Sequence, residues 1–128
     1  MDYNNLILLM DRWSEISRNN GKEHLFMSYG KKQVLSETYD ALVEWWQQFE
    51  VVSQCEEFPF LTAVSDEIKK RNQKLIWPNN FIDTCVLDCM VRAINQEILY
   101  QTEEMKRSED VHVDVKNFIL TECCKNRQ

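Results

Sequence analysis

Glycine and proline are almost missing from this sequence: only Gly21, Gly30, Pro59 and Pro78 occur in 128 residues. Sheet-rich folds place both residues in their turns, so this scarcity points to helices. Phosphate-cradling loops need clustered glycines, and their absence excludes P-loop and dinucleotide-binding chemistry. Histidine is nearly absent too, with His24 and His112 alone. No CxxC pair occurs, and neither histidine stands at ligand spacing from a cysteine pair, so no metal or cofactor is expected. The apolar run Leu6–Met10 is too short to span a bilayer, and Asp2 and Asp11 flank it in place of basic residues.

What is present suits one folded domain over residues 1–128. Four Trp, four Tyr and six Phe can bury large areas, so a disordered chain is excluded. The net charge of −6 would repel nucleic acid unless the basic residues gathered on one face. Lys31-Lys32, Lys69-Lys70-Arg71 and Lys106-Arg107 are short and widely separated. An acidic surface meets basic partners more readily, or simply keeps the chain soluble. Five cysteines form an odd set, and free thiols in a reducing cytoplasm are the simplest expectation. Cys85 and Cys89 suit small apolar fillers on one helical face.

Helical periodicity runs through most of the chain. Leu6, Leu9, Met10, Trp13 and Ile16 share one face of a helix over about residues 4–19. Residues 22–29 could add a short helix ended by Gly30. A second long helix is expected after Ser36 as N-cap, ending near Gln54, with Leu35, Tyr39, Leu42, Val43, Trp46 and Phe49 inward. A third opens at Pro59, whose missing N–H suits a first turn, with Leu61, Val64, Ile68 and Leu75 inward. Pro78 forces Trp77 out of the helical region. The fourth, about residues 80–107, is apolar around most of its circumference, so other helices should surround it. Asn79 or Asn80 should cap it. Its narrow polar strip is Thr84, Asp88, Arg92 and Asn95. Ser108 should cap a fifth helix carrying Val111, Val115, Phe118 and Ile119 inward. The expected fold is therefore an all-α array or bundle of four to six helices around the fourth.

Candidate functional residues lie mainly on the second helix. Glu37, Asp40 and Glu44 recur at 3 and 4 residue spacing, which puts them on one outward face. Trp45 lies about 100° around from Trp46, on a flank beside those acids. An exposed tryptophan next to carboxylates is the kind of anchor that interfaces use. Glu56 and Glu57 extend the acidic surface into the next connection. Glu97 and Glu104, near the apolar side of the fourth helix, form a second carboxylate set that an inward-facing Mg²⁺ site would need. Lys69, Lys70, Arg71 and Lys74 make only a weak nucleic-acid element, because no tight turn leads into a recognition helix.

Small size, acidity, helical patterning and the lack of an active-site motif together resemble bacterial immunity proteins and phage-encoded inhibitors, a likeness of type that involves no particular residue. It implies a protein-binding inhibitor, such as an immunity protein or antitoxin, whose acidic face fills the basic cleft of a partner such as a nuclease toxin. Two other readings stand beside it: a metal-dependent helical hydrolase using clustered carboxylates, and a structural or adaptor subunit that self-associates through Trp45 or Leu8.

Overall fold

The most apolar stretch of the chain becomes its central helix. The structure is a computed structural model that describes residues 3–19, 30–71, 80–102 and 110–123, with no side-chain description at 122 and 123. Its elements run α1 (Tyr3–Asn19), β1 (Lys31–Gln33), α2 (Ser36–Ser53), α3 (Pro59–Lys70), β2 (Phe81–Asp83), α4 (Thr84–Gln101), α5 (Val111–Phe118) and a closing π-helical turn (Ile119–Cys123). Leu87, Met90, Ala93 and Ile94 of α4 are fully buried, and α1, α3 and the π-helical turn all pack on this helix. The expected all-α architecture around the fourth helix is what the chain adopts. No helix among the described residues is long and apolar enough to cross a membrane.

The start of α4 differs from expectation. Asp83, not Asn79 or Asn80, is its cap: Oδ1 accepts from Cys85 N at 3.0 Å and Val86 N at 3.4 Å. The three residues before the helix are used instead as a strand, Phe81–Asp83, paired antiparallel with Lys31–Gln33. Asn80 turns the chain into this strand at φ 68°, a left-handed conformation that asparagine tolerates. Gly30 sits at φ 113° at the other strand's entrance, where a side chain would be strained. Its carbonyl accepts from both Thr84 N (2.8 Å) and Thr84 Oγ1 (2.5 Å), which closes the hydrogen bonding at this end of the ribbon. Thr84 and Asp88 are both buried, so the expected polar strip on α4 is not a solvent strip at its N-terminal end.

On α1 the periodicity reads true. Leu6, Leu9, Trp13 and Ile16 are buried, while Leu8 stands 62% exposed on the flank. On α3, Pro59 occupies the first turn and Phe60, Leu61, Val64 and Ile68 point inward. Asp110 rather than Ser108 caps α5, its side chain accepting from Val113 N, and Phe118 is that helix's buried residue. Residues 22–29, Lys74, Leu75, Trp77 and Glu104 lie outside the described residues, as does the expectation attached to each.

One cysteine expectation is corrected. Cys55 and Cys85 are free thiols, but Cys89 belongs to a disulfide whose partner sulfur lies outside the described residues. A bond at a buried helical position packs as an apolar group just as a thiol does. Nothing in helical spacing therefore distinguishes the two.

Candidate functional site

The geometry of the site is set by how α2 seats itself. Its buried residues are Thr38, Leu42, Trp45, Phe49 and Ser53, so the helix is turned about one residue from the expected stripe. Leu42 and Phe49 belong to both patterns. The difference lies in Trp45, expected as an exposed partner anchor and found fully buried. The physical reason is a polar one inside an apolar setting. The Trp45 indole N–H donates to the Leu9 carbonyl at 2.9 Å, which satisfies the one polar group that the ring would otherwise bury unpaired. Its ring lies 5.1 Å from that of Trp13 and 6.1 Å from that of Phe49. Trp46, expected in the core, is only half-buried and stacks on Phe49 at 6.0 Å. Leu35, also expected inward, is 57% exposed. The inward stripe contains Thr38 and Ser53, small polar residues that hydrophobic periodicity passes over.

The acidic residues stand where expected. Glu37, Asp40 and Glu44 are all exposed, as are Glu56 and Glu57 in the connection to α3. Glu57 is tied in through its backbone, its carbonyl accepting from Gln101 Nε2 at 3.1 Å. Arg12 of α1 bonds Glu15 and reaches Glu44 across the helix pair at 3.9 Å. Both groups of the Arg12–Glu44 pair are well exposed, so the contact adds little stability.

Asn5, Leu8 and Leu9 of α1 lie beside Gln48, Val51 and Val52 of α2, while Ile16 and Asn19 lie beside Thr38 and Ala41, so the two helices run antiparallel. Their outer seam is open. One cavity of about 460 Å³ is lined by Asn5, Leu8, Leu9, Arg12, Gln48, Val51 and Val52. A second, of about 330 Å³, is lined by Arg12, Ile16, Asn19, Leu35, Glu37, Thr38 and Ala41. Leu8 at 62% and Val51 at 69% are among the most exposed large apolar side chains described. The first cavity offers apolar surface, two amides and one guanidinium.

Two further carboxylates lie inside the protein. Glu97 of α4 is fully buried, and its Oε2 accepts from Phe60 N at 2.5 Å. Phe58 holds the cap position of α3 but has no side-chain oxygen, so Glu97 satisfies a first-turn donor from the neighbouring helix. Asp88 is also buried, and its Oδ2 accepts from Arg92 Nε at 2.9 Å. Nine residues separate the two acids, about 13 Å along the helix and half a turn around it, so they cannot share one ion. No group of three or more His, Cys, Asp or Glu among the described residues is placed to hold a metal. Tyr100 Oη donates to Asp114 Oδ2 at 2.5 Å and links α4 to α5, while Phe60 packs edge-on to Tyr100 and Phe118.

Sequence reasoning missed both the cross-helix cap and the seam. The cap needs a glutamate and an uncapped helix 37 residues apart, a pairing that no local signal carries. The seam had a local trace in Leu8 and Val51, each off the inward stripe of its own helix.

Fold and seam together define an all-α protein with a solvent-facing groove between two antiparallel helices. No known family, no curated protein and no solved structure matches the chain.

Proposed function

We propose that this protein acts by binding another protein through the outer face of α2, as an inhibitor of the immunity-protein or antitoxin kind. The observation that supports it is the orientation of one helix. Leu42, Trp45 and Phe49 hold α2 to the core, while Glu37, Asp40 and Glu44 project from a rigid surface into water. A fixed row of carboxylates presents a ready potential to a basic cleft, steering encounter and disfavouring acidic partners. Glu56 and Glu57 continue the row past the end of α2. Trp45 is withdrawn from the contact set because it is buried. Leu8 and Val51, on the seam beside Glu44, take its place as apolar anchors.

Inhibition would be steric. The acidic face occupies a partner's substrate cleft and excludes the substrate without any reaction on this chain. Recovery of a basic protein partner on immobilised protein, lost on combined charge reversal of Glu37, Asp40 and Glu44, would support this assignment. Recovery unaffected by the reversal would reject these residues, and failure to recover any partner from the source cells would reject the binding reading itself. A cytoplasmic location suits the free thiols of Cys55 and Cys85, whereas a disulfide such as that at Cys89 is commoner in oxidising compartments. The binding proposal depends on neither.

Self-association is the second reading, favoured by the joint exposure of Leu8 and Val51. Sedimentation equilibrium decides it, since a strict monomer at high concentration removes it.

A further inference from the structure

We infer that the seam between α1 and α2 seats a basic, amphipathic α-helix of the partner. The inference rests on the protein-binding reading above and specifies what is bound and where. The two cavities adjoin at Arg12, which lines both and reaches Glu44 between them, and together they make a trough along the seam. Along α1 the trough runs from Asn5 to Asn19, about 21 Å at 1.5 Å per residue, the length of a helix of about four turns.

A helix fits this trough and a strand does not. The backbone groups of both walls are used inside their own helices, so nothing there can pair with the N–H and C=O groups of an extended segment. A helix satisfies its own backbone and needs only side-chain surface. The trough supplies that surface at both ends: Leu8 and Val51 at one, Leu35 at the other, the last 57% exposed.

Charge selects the sign of the incoming helix. Glu37 lines the trough, and Glu15 and Glu44 stand beside Arg12 at its middle. Arg12 is engaged with these two acids, so the middle of the trough is acidic on balance. A partner helix with apolar residues toward its ends and Lys or Arg between them complements it. A second copy of this chain, carrying −6 and the same acids, brings like charge against like.

The experiment is titration of the ¹⁵N-labelled full chain with three synthetic peptides of about 16 residues. One places Leu at 3 and 4 spacing in its first and last turns, with Lys on the same face between them. The second has the same composition with that spacing destroyed. The third replaces every Lys by Glu. The expected result is that only the first shifts the amide signals of Leu8, Arg12, Gln48 and Val51. Leu8→Asp and Val51→Asp should each weaken it about tenfold or more, the size of effect that loss of a buried anchor produces. Both positions are solvent-exposed, and an unchanged amide spectrum of the free variants shows the fold intact.

Equal binding of the scrambled basic peptide overturns the helix inference and leaves the acidic-face reading standing. Shifts centred on Glu56 and Glu57, or binding of the acidic peptide, overturn it too. Absence of binding by the first peptide overturns it whatever the partner-recovery experiment returns. Concentration-dependent dimerisation abolished by Leu8→Asp replaces the partner helix with a second copy.

Discussion

The carboxylates of α2 and those of α4 are the same chemistry put to opposite uses. Glu37, Asp40 and Glu44 face water, where each ion keeps its hydration and contributes mainly a potential. Asp88 and Glu97 are stripped of water, and a protein donor meets one oxygen of each: Arg92 Nε at Asp88 Oδ2 and the Phe60 amide at Glu97 Oε2. An exposed acid can be reversed in sign with small effect on the fold. A buried acid cannot be removed without leaving its donor stranded. An acid's position relative to the core, rather than its presence in the sequence, separates a recognition residue from a structural one.

The largest expected effect lies beneath the acidic face. Trp45→Ala should cost about 3–5 kcal/mol by denaturant unfolding, the range for emptying a large buried aromatic site. Trp46→Ala should cost clearly less, since Trp46 is half-buried. The reverse ranking would mean that α2 is rotated from the orientation described and that its acids face elsewhere.

Next in size is the buried cap. Glu97→Ala should lower stability by about 2–3 kcal/mol, because a charge-assisted hydrogen bond is lost and the Phe60 N–H is left buried. Glu97→Gln should recover part of the loss, as its amide oxygen can still accept. A change below about 0.5 kcal/mol for Glu97→Ala would place this acid with the surface group and break the contrast.

The smallest stability effects belong to the exposed set. Glu37→Lys, Asp40→Lys and Glu44→Lys should each shift unfolding by no more than about 0.5 kcal/mol, as is usual for surface positions. Leu8→Asp should behave alike, and thermal melts of the four variants check both. A large loss at Glu44 alone would show that its contact with Arg12 is worth more than an exposed pair should be.

Much of this arrangement was legible beforehand, for reasons that particular residues make clear. Leu6, Leu9, Trp13 and Ile16 could be placed from spacing alone because every inward position on α1 but Ser17 is strongly apolar. The same reasoning turned α2 by one residue because its stripe includes Thr38 and Ser53, and because Trp45 and Trp46 offer the helix two adjacent rings. The outward direction of Glu37, Asp40 and Glu44 survived that error, since a shift of about 100° still leaves them off the core. Asp83, and not Asn79 or Asn80, caps α4 because no helical period reports the short strand Phe81–Asp83 that delays the helix start.

The sequence by itself determined the helical class, the central place of the fourth helix and the acidic outer face of the second. Each follows from a repeat of 3.6 residues or from a sum of charges, both local or additive properties of the chain. Only the tertiary structure decided which tryptophan is buried, which acid caps a helix other than its own, and where two helices leave a trough open. Those outcomes depend on donors and acceptors 36 or 37 residues apart meeting at hydrogen-bond distance. Such meetings are fixed by how whole helices pack.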